Sequence, residues 1–194
     1  MAFSPRSIVL ILANFITAMA CSASPAPLPD DPRCTTEDRT FMARAYELAR
    51  AAIQDHSGYP FGALLVVDGK IVAEYHNCEL EMKDPTKHAE TGLISAFAPK
   101  LGRDVLARAT LYASSEPCTM CCGAIRFAGI RKVVYGTTES QFVKVIGERN
   151  DPHPLDSREV FARTAPDTVV LGPLMEAEGL AIHEAYWPLL HPGS

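Results

Sequence analysis

Two short motifs constrain this 194-residue chain more than any other part of its sequence. One is a His-x-Glu motif, formed by His88 and Glu90, and the other is a Pro-Cys-x-x-Cys motif that starts at Pro117. A helix that starts near this proline would direct the sulfurs of Cys118 and Cys121 to one side, because residues three apart share a helix face. Two thiolates and one imidazole are typical ligands of a zinc site whose fourth position stays open to water. The motifs therefore predict a catalytic site for one Zn²⁺ per chain, with His88, Cys118 and Cys121 as its ligands.

Glu90 is the candidate catalytic residue of this site. Two thiolates and a neutral imidazole make the zinc site formally neutral, so the metal acidifies a bound water less than a site with three histidines would. A carboxylate base is therefore needed nearby, and Glu90 lies two residues beyond His88. Taken alone, Cys-x-x-Cys also suits a redox pair or half of a structural zinc knot, and His-x-Glu suits a solvated helix start. The sequence has no second Cys-x-x-Cys pair, so the combination of motifs favours a catalytic centre.

The first residues have the composition of a signal for export. A basic residue precedes an apolar stretch that continues to Met19, and a small-x-small cleavage pattern ends at Ala20. We therefore predict a signal peptide over residues 1–20 and an exported protein, either periplasmic or secreted. Because Cys21 follows directly, a lipid anchor on this cysteine is the one membrane attachment that we expect. Translation from Met19 would remove the signal and give a cytoplasmic protein.

A segment rich in proline, serine and alanine follows over residues 21–34. Its composition predicts an extended tether that lies outside the folded core. The folded domain is then expected over residues 35–187, and a C-terminal tail over residues 188–194. In a disulfide-forming compartment, Cys34 and Cys78 are candidates for pairing.

Within residues 35–187, the spacing of apolar residues predicts helices that alternate with strands. The predicted elements are a helix from a Thr35–Asp38 capping box to Gly58, a hairpin of strands 62–67 and 70–75, a helix from Pro85 that ends before Pro99, a strand over 109–114, the helix of Cys118, a strand over 132–136, a short helix within 140–154, a helix over 156–163, a strand over 168–171 and a helix over 174–187. Cys122, Ile125 and Phe127 are expected to pack in the core. This order indicates an α/β fold with one mixed sheet and helices on both faces. It places the zinc ligands at helix N-termini beyond strand ends, where open α/β sheets usually have their sites.

The paired zinc motifs resemble those of one superfamily of enzymes. Over Thr35–Trp187 the chain resembles the cytidine deaminase-like zinc hydrolases, and within them the purine branch of bacterial guanine deaminases and tRNA adenosine deaminases. The resemblance implies a three-layer α/β/α sandwich with a mixed five-stranded sheet, and a homodimer. It also implies a deaminase that releases ammonia from an aminated purine base or nucleoside, with Glu90 as proton shuttle. The candidate substrate contacts under this resemblance are Asn77, Ala89 and Ser115.

Within this branch, a guanine-like substrate is favoured. Residues 113–116, which include Ser115, resemble the guanine group, whereas the tRNA group usually has a hydrophobic residue at the position of this serine. The formal net charge is −5 at pH 7, and binding of nucleic-acid phosphates normally requires a basic surface. Thr119 and residues 146–151 differ from the guanine group, so two alternatives stay open. They are a tRNA adenosine deaminase and a non-catalytic zinc-binding module.

The end of the predicted last helix is a candidate cover for the substrate. His183, Glu184, Tyr186 and Trp187 cluster there. One interpretation is a helix packed on the sheet, with Trp187 in the core and Glu184 in solvent. The guanine-type relatives imply another interpretation, in which the tail covers the purine pocket and excludes water. Glu184 would then accept hydrogen bonds from ring N–H groups, and residues 189–194 would form a lid.

Overall fold

The computed structural model describes residues 26–147 and 155–190. The predicted signal peptide, the alternative start at Met19, the lipidation candidate Cys21 and the end of the predicted lid lie outside these described ranges. Among the described helices, none has both the length and the apolar character that crossing a membrane requires.

Helices and strands alternate through the described part of the chain. In chain order they are α1 (Thr36–Gln54), β1 (Gly62–Val67), β2 (Lys70–His76), α2 (Glu79–Met82), α3 (Ala89–Leu101), α4 (Arg103–Arg108), β3 (Thr110–Ser115), α5 (Thr119–Ala128), β4 (Lys132–Thr137), α6 (Glu139–Ile146), α7 (Ser157–Thr164), β5 (Val169–Leu171) and α8 (Glu176–Leu190). The five strands form one sheet in the order β2-β1-β3-β4-β5. β1 runs antiparallel to β2 and β3, whereas β3, β4 and β5 run parallel to one another. The predicted mixed five-stranded sheet is therefore confirmed.

The sheet buries a separate apolar cluster on each of its faces. Successive residues of a strand point to opposite faces, so Leu64 and Leu65 belong to different clusters. Leu65 and Leu111 pack with side chains of α3, α5 and α7. Leu64 and Tyr112 pack with side chains of α1 and α8. Helices thus cover both faces, and the fold is the expected three-layer α/β/α sandwich.

The first helix begins as predicted but ends earlier. Thr35 and Asp38 form the expected capping box, in which each side chain accepts the other residue's backbone N–H. The last helical residue is Gln54, so the predicted stop at Gly58 is wrong. Gly58 instead lies against Asn77, where a β-carbon would come within 2.0 Å of the Asn77 Oδ1 atom. The glycine is required for this close approach and not for ending the helix.

The helix that follows His88 starts and ends later than predicted. Its first residue is Ala89 and its N-cap is His88, so the predicted start at Pro85 is wrong. Pro99 lies inside the last turn of the helix rather than beyond it. Ser95 and Pro99 are both exposed, so the carbonyl that the proline leaves without a donor can bond water instead.

Two of the three residues expected to pack within α5 do so. Cys122 and Ile125 are 1% and 0% exposed, whereas Phe127 is 77% exposed and was assigned wrongly. Residues two apart in a helix face different directions, so burial of Ile125 turns Phe127 outward. The short helices α2 and α4 were not predicted, because neither is long enough to show a helical period.

The segment before α1 is attached to the domain rather than being a detached tether. Asp31 is buried, and its carboxylate contacts both Arg33 and Arg158 and accepts the N–H of Gly172. The hydrogen bonds from Arg33, opposed by burial, hold the pKa of Asp31 well below its usual range. Within residues 26–34 only Asp31 is buried and most of the other side chains are exposed, so this part of the segment is bonded to the domain at Asp31 but lies on its surface.

The candidate disulfide is also absent from the described residues. Cys34 and Cys78 are both free thiols in this structure. Cys34 packs against the cluster on the α1 face, while Cys78 is the N-cap of α2 and its thiol donates to the His76 carbonyl. The two thiols therefore lie in different surroundings and do not pair.

Candidate active site

The predicted ligand residues meet at the N-terminal ends of two neighbouring helices. His88 is the N-cap of α3, Cys118 is the N-cap of α5, and Cys121 lies in the first turn of α5. The His88 Nδ1 atom lies 3.6 Å from the Sγ atom of each cysteine, and the three ligand atoms lie within 4.8 Å of one another. Zinc bonds of about 2.1 Å to nitrogen and about 2.3 Å to sulfur place these atoms about 3.6 Å apart in a tetrahedron. The donor set and its spacing therefore fit Zn²⁺.

The sheet topology brings these ligands together. β3 ends at Ser115 and leads directly into α5, while β2 ends at His76 and leads through α2 into α3. Side chains of α3 and α5 pack in the same cluster on one face of the sheet. The dipole of each helix favours negative charge at its N-terminus, which stabilises thiolates at this position.

Hydrogen bonding between the cysteines biases their protonation. The hydrogen bond with Cys121 lowers the pKa of Cys118 to about 4, and His88 contributes to the same shift. That hydrogen bond and burial together raise the pKa of Cys121 above its ordinary value. Both sulfurs must be thiolates to bind zinc, so binding displaces a proton from Cys121 and depends on pH.

Glu79 supports His88 from outside the ligand set and was not identified from the sequence. The Nε2 atom of His88 lies 3.5 Å from Glu79 Oε1, and Asn77 Nδ2 donates to the same oxygen over 2.6 Å. A carboxylate in this position orients a metal-binding histidine and selects its tautomer. Because Glu79 lies in the unpredicted helix α2, no sequence period pointed to it.

Glu90 lies directly beside the ligands, as the sequence predicts. It is 7% exposed, and the thiol of Cys121 donates to its Oε2 atom over 3.4 Å. Burial raises the pKa of Glu90 to about 7, and the charge of Cys118 adds to this shift. A carboxyl group with a pKa near neutrality can both accept and return a proton. The geometry therefore suits a general acid–base residue acting on a water at the metal.

Asn77 is held by protein groups rather than exposed in a loop. The residue is fully buried, and its Oδ1 atom accepts the backbone N–H groups of Tyr59 and Glu79, each over 3.1 Å. Its predicted contact with a purine stays a prediction. Asn77 and His88 are linked through the carboxylate of Glu79, which both contact.

The other predicted substrate residues have different surroundings. Ala89 is 1% exposed and Ser115 is 6% exposed, and both lie next to ligand-bearing segments. Glu184 of α8 is half-buried. Its neighbour His183 contacts the end of β3, since its Nε2 atom lies 3.1 Å from Ser115 Oγ. The sequence pattern placed His183 near the end of this helix but gave no sign of this contact.

Two further carboxyl groups surround the site. Glu116 is buried and accepts the N–H and the hydroxyl of Ser157 together with the N–H of Glu139. It thereby fixes the starts of α6 and α7 against the segment that leads to Cys118. Burial raises the pKa of Glu139 to about 7, and the charges of Cys118, Glu116 and Glu90 add to the shift. Glu139 was not identified from the sequence, because its proximity to the site depends on the parallel pairing of β3 and β4.

The zinc ligands and Glu90 lie in a region that matches a known protein family. Residues 35–137 match the family described as the cytidine and deoxycytidylate deaminase zinc-binding region. A probable cytosine deaminase of Schizosaccharomyces pombe is 31% identical over 153 residues, which are 78% of this chain and 93% of that protein. A tRNA-specific adenosine deaminase of Agrobacterium fabrum is 42% identical over 99 residues, which are 51% of this chain and 64% of that protein.

Solved structures share the fold. The guanine deaminase from Nitrosomonas europaea is 26% identical, with a TM-score of 0.64 over 95% of this chain and 98% of that chain. A crystal structure in complex with 2,6-diaminopurine is 28% identical, with a TM-score of 0.67 over 79% of this chain and 83% of that chain. The zinc ligand geometry, the buried Glu90, the sandwich fold and these matches agree with one another. The chain therefore belongs to the zinc-binding cytidine and deoxycytidylate deaminase family, whose members hydrolyse C–N bonds of nucleobases and nucleosides.

Proposed function

We propose that this protein deaminates an aminated purine, with guanine as the favoured substrate. The observation that carries the proposal is the buried Glu90 carboxyl beside Cys121, within a fold similar over 95% of the chain to a guanine deaminase. A similar protein crystallised with 2,6-diaminopurine also supports a purine ring as the ligand. The substrate of this chain is a small base rather than a polymer, because its formal net charge is −5 and phosphates require a basic surface.

The chain's own residues can move every proton that hydrolysis requires. When bound, Zn²⁺ supplies Lewis-acid activation of the attacking water. Glu90 takes a proton from that water while the water oxygen bonds to the ring carbon that carries the exocyclic amine. Glu90 passes this proton to the adjacent ring nitrogen and then moves the second water proton to the amine. The C–N bond breaks, a carbonyl forms and ammonia leaves.

A release assay for ammonia tests this proposal. Purified protein loaded with zinc is measured against guanine, guanosine, adenine, cytosine and an RNA stem-loop that carries adenosine in its loop. We expect the highest kcat/KM for guanine and a release rate about 100-fold or more lower with Glu90→Gln, which serves as the control for contaminating enzymes. Preferred turnover of the RNA would favour the alternative of a tRNA adenosine deaminase, since the chain is 42% identical over 99 residues to such an enzyme from Agrobacterium fabrum. Preferred turnover of cytosine would reject a purine substrate.

Export and dimerisation stay as separate proposals with their own tests. The pattern that ends at Ala20 supports export, and a mature chain that starts at or near Cys21 in the native host is the expected mass-spectrometric result. A soluble protein that starts at Met1 or Met19 would contradict it. The homodimer rests on the family resemblance, and light scattering of the purified protein would reject it by giving the mass of a monomer.

A further inference from the structure

Three buried polar groups form a hydrogen-bonded chain from α8 to the end of β3. Trp187 Nε1 lies 3.3 Å from His183 Nδ1, and His183 Nε2 lies 3.1 Å from Ser115 Oγ. The three residues are 5%, 2% and 6% exposed. No part of the chemistry assigned to Glu90 and the zinc ligands uses them.

The tryptophan determines where the imidazole proton lies. An indole nitrogen only donates hydrogen bonds, so His183 Nδ1 is the acceptor in its contact with Trp187. Burial lowers the pKa of His183 to about 3, and the imidazole is therefore neutral at physiological pH. A neutral imidazole with an unprotonated Nδ1 carries its proton on Nε2. His183 thus donates to Ser115 Oγ.

The direction of this hydrogen bond leaves the serine as a donor. Because the Ser115 oxygen accepts the His183 proton, the hydroxyl hydrogen of Ser115 must point away from the ring. Side chains of a strand alternate between faces, so Ser115 shares a face with Leu111 and Ala113. These two residues belong to the cluster formed with α3 and α5, whose N-terminal ends carry the zinc ligands. Although α8 covers the opposite face, His183 reaches this side of the sheet at the strand ends, because its ring contacts Phe61, which packs against the same cluster. Ser115 itself lies three residues before Cys118.

The surroundings of His183 are aromatic and hold the ring in place. Its ring centroid lies 4.8 Å from that of Phe142 and 5.3 Å from that of Phe61. Trp187 stacks on Tyr59 at 5.3 Å. An apolar residue would fill such a cluster without the desolvation cost of a buried imidazole. The imidazole is compensated only through its two hydrogen bonds, one of which ends at Ser115.

We propose that Trp187 and His183 are positioning residues that fix Ser115 as a hydrogen-bond donor to an acceptor atom of the bound base. This inference rests on the proposed function, because it gives the deaminase site a specific contact to its substrate. Through these hydrogen bonds, substrate binding at the end of β3 depends on the position of α8. His183 acts through Ser115 and does not contact the base itself.

Kinetics of matched variants tests the contact. Ser115→Ala should raise KM for guanine by about 3- to 10-fold, which is the value of one neutral hydrogen bond, with little change in kcat because the contact is present before and during reaction. Ser115→Thr keeps a hydroxyl and should restore KM. His183→Phe should raise KM to a similar extent, and the double variant with Ser115→Ala should add nothing further. Ala181→Ser, an exposed position on α8, is the matched control and should keep the wild-type KM.

A measurement independent of turnover tests the proton assignment. Nitrogen-15 NMR of the imidazoles should show His183 protonated on Nε2 alone between pH 5 and pH 8, and Trp187→Phe should allow the other tautomer. A protonated Nδ1 in the wild-type protein, or an unchanged KM in a folded, zinc-loaded Ser115→Ala variant, would overturn the proposal. If the wild-type protein turned over another base and not guanine, the proposed function would fail. The same KM comparison on that base would then still decide the role of Ser115.

Discussion

Glu176 tests which hydrogen bonds attach α8 to the rest of the domain. This residue of α8 is 1% exposed. Its Oε1 atom accepts the N–H of Thr138 over 2.9 Å and the hydroxyl of Thr138 over 2.6 Å, and its Oε2 atom accepts the N–H of Leu28. In Glu176→Gln the amide oxygen can keep both contacts to Thr138. The amide nitrogen would then face the N–H of Leu28, so one partly buried contact changes from attraction to repulsion.

The expected loss of stability in Glu176→Gln follows from the single contact with Leu28. A buried donor left without a partner costs about 1–3 kcal/mol, and 1 kcal/mol shifts the melting temperature of a domain of this size by about 2–4 °C. Because the Leu28 contact is only partly buried, the loss lies at the lower end of that range, and we expect Glu176→Gln to lower Tm by roughly 2–4 °C. Glu176→Ala removes all three acceptor contacts and should lower Tm further.

Glu178→Gln is the matched control on the same helix. Glu178 pairs with Arg50 over 3.0 Å at a side-chain exposure of 36%, and an exposed ion pair contributes only about 0–1 kcal/mol. Calorimetry of the zinc-loaded proteins at equal concentration compares the three variants. Equal Tm shifts for Glu176→Gln and Glu178→Gln would refute the argument that burial of the acceptor, rather than loss of charge, sets the cost.

Three further predictions concern the metal, the chemistry and acid stability. Cys118→Ser should lose zinc and thermal stability together, and metal analysis that finds full zinc in a Cys118/Cys121 double variant would reject the ligand assignment. Glu90→Gln should keep zinc and the fold but lower kcat by about 100-fold or more, so near-normal steady-state turnover would reject its role. Burial would raise the pKa of Asp38, but the hydrogen bonds from Tyr112 and Thr35 outweigh it and lower the pKa. The stabilisation by ionised Asp38 is therefore fully present above its unfolded pKa near 3.8, and it is lost as the pH falls through the lower pKa of the folded state. The Tm difference between wild type and Asp38→Asn should therefore shrink in acid.

The sequence predicted the features that depend on neighbours along the chain. The spacing of Cys118 and Cys121 places two sulfurs on one side of a helix start whatever the rest of the fold does. The Thr35 capping box and the hairpin at Asp68 are equally local, because each is formed within a few residues. Helices and strands long enough to show a period were placed correctly in number and order.

Features that depend on distant pairing could not be predicted in the same way. Asp31 is buried because Arg158, 127 residues later, lies beside it, and composition alone assigned this segment to a tether. Glycine is a usual residue at a helix stop, but Gly58 is required because Asn77 lies too close to leave room for a side chain. The contact of Ser115 with His183 joins residues 68 positions apart, and no local pattern contains it.

Substrate choice should depend on contacts that lie outside the region matched by the family. The family match ends at residue 137, and it contains Glu90 and the three zinc ligands. The aromatic cluster around His183, including Phe142 and Trp187, is built largely from α6 and α8 beyond that point. The chain is similar both to a probable cytosine deaminase and to a tRNA-specific adenosine deaminase, so the catalytic groups alone cannot distinguish their substrates. Tyr59, Phe61 and Ser115 lie in the matched region and contact the distant cluster. Of these, Ser115 is hydrogen-bonded to His183, so the selection of a base by this chain should depend on residues after 137 acting through these contacts.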